Sequence, residues 1–364
     1  MHRLENSTMV RSLKAILAAL STVPMFAHIL HRNLVFLAAS LCLLGLSTIA
    51  NAEPVSCGGI DLLAKMKRED RKTYDQILAE GRKIPNARGL FWKIEKRGVK
   101  PSYLFGTMHV SDPRVIKLPH TVKKAHLKAK VIVLESDQLL ELGKARLLAF
   151  TKPDMMMMPA GKRIEDFLTP EQRGVVDTAL TARGAPLSAV NYLRPWMVTS
   201  IVASACEQSR AKDRTPVLDQ QLALDAIENN IPLKGLETLE EQYGALNKMS
   251  LEAQVKNLIS AIAHPEQFAN IDETMLRLYL SGDIRPLAPL LRWLSQNDTT
   301  MAADSFAEFE DEVITRRNHT MADRAKPFLQ DGNAFIAVGA LHVQGDDGLV
   351  ELFRKQGFKV TPAI

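Results

Sequence analysis

The chain has 364 residues, 46% of them hydrophobic and 24% charged, with a formal net charge of +5. That is chain enough for one sizeable core, and the balance excludes a disordered or collagen-like polypeptide. The positive excess is concentrated at the start, where Arg3, Arg11, Lys14 and Arg32 face Glu5 alone. The remainder is nearly balanced and lacks the clustered basic charge that nucleic acid requires. Short runs such as 65–72 read as solvated helix faces.

Residues 1–52 read as a secretory signal. Arg32 precedes an apolar run over 34–50 that ends in Ala50-Asn51-Ala52, the order of n-region, h-region and small-residue cleavage site. Cleavage is expected after Ala52, which places the mature protein in the periplasm or outside the cell. A run of about 17 apolar residues is also borderline for spanning a bilayer, so an uncleaved anchor is the alternative; no later segment is apolar enough to span. An earlier apolar stretch over 10–30 is broken by Pro24, which leaves Met1, Met9 and Met25 open as starts. Cys42 falls in the leader, and the remaining pair, Cys57 and Cys206, reads as one disulfide in an exported protein. Two isolated buried thiols are the alternative.

Beyond the leader, a single domain is expected over 53–364, since no Pro/Gly/Ser-rich linker divides it. A helix is predicted over 60–79, strands over 90–95 and 102–106, and a helix over 113–129. A strand over 131–135 and a helix over 138–150 follow. Met155, Met156, Met157 and Met158 then form a loop whose soft side chains fill a core gap or offer an apolar contact surface. Thr169-Pro170 and Arg194-Pro195 each start a helix with proline in its first turn. Helices are predicted over 218–229, 239–248, 251–263, 265–281 and 302–329, a strand over 231–236, and strands over 334–338 and 358–361. The fold class expected is α/β (α+β): a central mixed sheet built from both ends of the mature chain, with a helical insertion at about 138–330 and two pseudo-symmetric halves.

Two segments carry the strongest internal signal. Leu104-Phe-Gly-Thr-Met-His-Val110 aligns with Ala337-Val-Gly-Ala-Leu-His-Val343, each an apolar run ending in Gly-x-x-His. Roughly 0.3 such motifs are expected by chance, and two with matching flanks are harder to dismiss. Glycine lets the chain turn or approach a ligand where a strand ends. Histidine then projects from the strand's carboxyl end, where open α/β sheets collect ligands. A second correspondence links Val133-Leu-Glu-Ser136 with Gly235-Leu-Glu-Thr238. The order is therefore His109, Glu135, Glu237, His342, as though two similar halves met about a pseudo-twofold axis. Two imidazoles with one or two carboxylates suit Zn, Mn, Co or Fe(II) and leave a position for water. Such a water suits amide or ester hydrolysis, with an outer carboxylate as general base. Read singly, each histidine is as easily a hydrogen-bonded structural residue, and Glu237 the first-turn acid of the following helix.

The residues that carry a wider resemblance are Ser102-Tyr-Leu-Phe-Gly-Thr-Met-His109, Val133-Leu-Glu135, Leu193-Arg-Pro-Trp196, Gly235-Leu-Glu-Thr238 with Gln242, Arg317-Asn318 with Met321, and Val338-Gly-Ala-Leu-His342 with Gly345 and Gly348. From about Cys57 to Val360 the chain resembles the TraB/PrgY/GumN family, related to the Tiki Wnt-inactivating proteases and more distantly to erythromycin-esterase and ChaN-like proteins. The resemblance implies a peptidase acting on a peptide or protein, with a divalent metal such as Mn, Co or Zn held by His109, Glu135 and His342. It implies Arg317 and Asn318 as an oxyanion or substrate-carboxylate contact, to which a guanidinium fork is suited. It also keeps open a non-catalytic alternative, because TraB and PrgY act in pheromone shutdown and ChaN-like relatives are associated with haem. A peptide- or haem-sequestering protein on this scaffold would retain its ligand without turnover. No Cys-x-x-Cys, P-loop, dinucleotide fingerprint, His-Glu-x-x-His or Gly-x-Ser-x-Gly occurs, so a metal would draw its ligands from distant parts of the chain.

Overall fold

A computed structural model describes residues 58–203, 216–297 and 303–363. The expected signal over 1–52 and the pair Cys57 and Cys206 lie outside the described residues.

Among the described residues, six strands form within or beside the segments predicted as strands. β1 (Phe91–Glu95) and β2 (Ser102–Thr107) make an antiparallel hairpin with Phe91 opposite Phe105 and Ile94 opposite Ser102. Gly98 turns its corner at a φ of 77°, a conformation that favours glycine. β3 (Val131–Leu134), β4 (Leu233–Gly235), β5 (Ala334–Gly339) and β6 (Lys359–Pro362) complete a mixed sheet in the order β4-β3-β5-β2-β1-β6. β4, β3, β5 and β2 are mutually parallel, whereas β1 runs antiparallel to both β2 and β6. Helices cover both faces, so β5, at the centre, has Ala334 through Val338 fully buried, as a parallel strand covered on both sides requires. Alternate residues feed two cores. Leu104, Ile336 and Val338 pack with Met321, Leu349 and Phe353 on one face. Phe105, Phe335 and Ala337 pack with Leu218 and Leu222 on the other.

Among the described residues, the intervening portion is mostly helical and contributes one strand, β4, to the sheet edge. Its helices Pro170–Thr181, Pro195–Ala203 and Leu251–Ala263 close over a satellite core that includes Met158, Ile164 and Leu258. Thr169 caps the first of these in a capping box with Gln172. Met156 and Met158 are buried while Met157 is half open, so two of the four methionines fill a core gap.

Several helices are interrupted where one continuous helix is predicted. The stretch 60–79 is two helices, Leu62–Glu69 and Arg71–Gly81, because the Asp70 carboxylate accepts from Thr73 N and starts the second afresh. The stretch 113–129 is Pro113–Ile116 and His120–Leu127, parted at Pro119, which cannot continue a helix. The helix predicted over 138–150 begins later, at Leu142. Between Ala303–Phe309 and Arg316–Asp331 lies a π-helical turn, Glu310–Thr315. Among the described residues, no helix is long and apolar enough to cross a membrane.

The two halves of the motif pattern are related by a step of one strand position across the sheet, β2 to β5 and β3 to β4. The pairing is out of step by one residue. Thr107 lies beside Gly339 and Leu134 beside Gly235, although the motifs align Gly106 with Gly339 and Leu134 with Leu236. With a side-chain period of two, equivalent residues in the halves therefore face opposite sides of the sheet. Because the four strands are parallel, His109, Glu135, Glu237 and His342 all leave the sheet at the same carboxyl edge.

Candidate metal and catalytic site

Glycine allows the two motifs to meet. A Cβ on Gly106 would lie 3.1 Å from Ala340 Cα, so the segment after β5 packs directly on β2. A Cβ on Gly339 would lie 3.3 Å from Glu135 Oε1, 3.5 Å from His109 Nε2 and 3.6 Å from His342 Cδ2. Three groups that the pattern singles out thus converge over one glycine.

Each imidazole is oriented by a bond at Nδ1. His109 Nδ1 donates to Asp219 Oδ2 at 2.6 Å, and Asp219 Oδ1 accepts from Thr107 Oγ1 at 2.7 Å. Asp219 is buried in the first turn of the helix Leu218–Glu228, where the helix dipole favours an anion. His342 Nδ1 lies 2.7 Å from Asn318 Oδ1. Asn318 Nδ2 donates to Asp347 O at 2.9 Å, which fixes the amide orientation and places the proton on His342 Nδ1. Both Nε2 atoms then point toward Glu135 Oε1, at 3.9 Å from His109 and 3.7 Å from His342.

Glu135 is buried and fully engaged. Its Oε1 accepts from Gly339 N at 2.6 Å, and its Oε2 from Arg317 at 2.7 Å and Gln242 Nε2 at 3.2 Å. Burial opposes its ionisation, yet His342, His109, Arg317 and the Gly339 N–H outweigh that and hold its pKa at about 2. The Asp219 carboxylate raises His109 to about 9. His342, fully enclosed, is pushed down by burial to about 4 and stays neutral at pH 7. A neutral His342 with its proton on Nδ1 leaves Nε2 as an acceptor, which Arg317 Nη1 engages at 3.3 Å.

Arg317 ties the cluster together. Its Nε and Nη2 grip Glu237, Nη2 also reaches Glu135 Oε2, and Nη1 donates to Val313 O and to His342 Nε2. All five of its N–H groups are bonded within the site, where they position both carboxylates and His342. Asn318 likewise spends its amide on His342 and Asp347 and holds the imidazole. Glu237, whose side chain is 2% exposed and locked to Arg317, anchors that guanidinium.

The donor chemistry fits a divalent ion: two imidazole nitrogens oriented by outer partners, and one carboxylate. The side chains are not closed on one. Among the described residues no group of three His, Cys, Asp or Glu meets the spacing for a metal ion. Ligands of one tetrahedral ion stand roughly 3.4 Å apart with bonds of about 2.1 Å, so the 3.7 and 3.9 Å gaps call for a few tenths of an ångström of closure at each histidine. The cluster opens into a cavity of about 330 Å³ whose other walls include Met275, Ile284, Leu287, Phe309 and Ile314.

Asp219 and Thr107 are the site residues that the motif reading misses. The available signal is faint: Asp219 sits in the buried stripe Asp219, Leu222, Ala223, Ala226, where an acid at helical spacing among apolar residues needs a partner.

Comparison with known proteins now places the chain. The profile of the TraB/PrgY/gumN family matches residues 90–362. The chain belongs to the TraB/PrgY/gumN family. It is 27% identical over 318 residues to the metalloprotease TIKI1 of Danio rerio, an alignment covering 75% of this chain and 63% of that protein. It is 25% identical over 316 residues to metalloprotease TIKI1 of Homo sapiens, covering 75% and 61%. To the uncharacterized protein YbaP of Escherichia coli (strain K12) it is 21% identical over 262 residues, covering 71% and 89%. The alignments thus span 63% and 61% of those two metalloproteases. No solved structure matches the chain.

Proposed function

We propose that this member of the TraB/PrgY/gumN family is an exported metal-dependent peptidase. Its ion, Mn, Co or Zn, would be held by His109 Nε2, His342 Nε2 and Glu135. One observation carries the reading: two histidines from opposite ends of the chain aim Nε2 at the same oxygen of one buried glutamate, at 3.9 and 3.7 Å. The likeness to relatives named metalloproteases supports it. A divalent ion supplies a water of lowered pKa and polarises the scissile carbonyl.

The chain's own residues divide the remaining work. Asp219 and Asn318 hold the imidazoles so that Nε2, not Nδ1, is offered. Arg317 balances the charge of Glu135 and Glu237 and keeps Glu135 Oε2 turned away from the cluster. Of Arg317's donors, only the N–H on His342 Nε2 loses its partner when that nitrogen ligates, which frees it for a substrate carbonyl oxygen. The leader over residues 1–52, cleaved after Ala52, and a Cys57–Cys206 disulfide belong to the same proposal and place the work outside the cytoplasm.

The test is elemental analysis of the purified protein after Mn or Co loading, beside His109→Ala and His342→Ala, followed by a peptide-library assay. One ion per chain, lost together with cleavage in both variants, is expected. A wild type that takes up no metal and cleaves no peptide overturns the reading; retention of a peptide without cleavage points to a sequestering protein instead.

A further inference from the structure

The cavity at the cluster is chemically one-sided. His109, Glu135, Arg317 and His342 form one wall, and Met275, Ile284, Leu287, Phe309, Ile314 and Leu341 supply most of the rest. Of the other polar residues that reach it, Thr107 spends its hydroxyl on Asp219, Tyr279 spends its hydroxyl on Gly106 O, and Asp272 is exposed. A volume of about 330 Å³ lies at the small end for ligand pockets, roughly 300–1,000 Å³. That suits one large side chain with its adjoining backbone. Ile284 and Leu287 are buried and fix the floor, whereas the unbranched Met275 is half-buried and can adapt to the shape it meets.

A second cavity, of about 460 Å³, shares the ridge of Phe309, Ile314 and Leu341 and is lined beyond it by charged residues including Lys83, Arg292, Glu310 and Asp346. An extended chain crossing the ridge would therefore have an apolar neighbour on one side and a polar one on the other.

We infer that the apolar cavity is the specificity pocket, taking a large apolar side chain such as leucine, methionine or phenylalanine from the residue next to the cleaved peptide bond. The inference rests on the peptidase reading for the word cleaved, but the pocket can be tested without turnover. Burying such a side chain against apolar walls is favourable, while a charged one would be desolvated there without a partner on the floor.

Two measurements on the full chain decide it. In the first, the Mn-loaded protein is given a peptide library; large apolar residues should exceed glycine or aspartate at the selected position by at least about tenfold in kcat/KM. Met275→Trp, which narrows the pocket, should move that preference toward alanine, and Met275→Ala should move it toward larger rings. In the second, N-acetylphenylalaninamide, N-acetylglycinamide and N-acetyllysinamide are titrated by NMR; only the first should saturate, and Met275→Trp should abolish it. Cleavage with no apolar preference overturns the pocket and leaves the peptidase standing. Absence of cleavage with selective binding of the phenylalanine amide sinks the peptidase and leaves the pocket. Phenylalanine amide binding no tighter than glycine amide overturns the pocket in either case.

Discussion

At the scale of single residues, the candidate site depends on which nitrogen of each histidine is held back. Asp219→Ala frees His109 Nδ1 to rotate, and loss of such an outer partner is expected to weaken Mn or Co binding about 10–100-fold while circular dichroism stays unchanged. Titration of the loaded variant against a chelator measures it; unchanged affinity would mean that Asp219 serves only the core. Arg317 is a different case, because it partners two buried carboxylates at once. Arg317→Met removes the guanidinium that Glu237 is locked to and one of the partners of Glu135, and should cost about 3–5 kcal/mol of stability, read from urea midpoints with an unchanged slope. His109, Glu135 and His342 stand out in the sequence because each follows a glycine or an apolar run at a strand end. The roles of Arg317, Asn318 and Glu237 do not, since what they touch is fixed by elements that meet only in the folded chain. Asp219 escapes for a plainer reason: an acid in a helix's first turn has an ordinary explanation already.

At the scale of elements, the π-helical turn Glu310–Thr315 matters most. Its hydrogen bonds span one more residue than those of an α-helix, and it ends two residues before Arg317. Inserting an alanine after Thr315 would exceed what the turn absorbs and rotate Arg317 and Asn318 about 100° relative to the preceding segment. Metal binding should fall by at least about tenfold, as for the loss of outer partners, with helix content by circular dichroism unchanged; retained binding would show that the extra residue is incidental. Nothing in the periodicity of 302–329 announces this turn, because apolar spacing tolerates one insertion. The breaks at Asp70 and Pro119 have local causes, an N-cap and a helix stop, that continuous apolar spacing masks. The strands were easier, since short runs such as Val131–Leu134 have the β-branched composition of a strand buried on both faces.

At the scale of the whole molecule, strand identity could be read from the sequence but strand order could not. Nothing local to 334–338 says that this segment slides between β3 and β2, because parallel neighbours are chosen by contacts distant in sequence. β5 supplies the centre of both cores, so a chain ending at Gly332 should lose cooperative unfolding altogether. A denaturation curve without a sigmoidal transition checks this, and a cooperative transition in the truncated chain would contradict the sheet order. The insertion of β5 also governs timing. His342 rides on the last-made central strand, so a chain emerging from synthesis or export carries His109 and Glu135 long before their third companion arrives. The proposed site would therefore stay incomplete until β5 had been made and threaded between its neighbours.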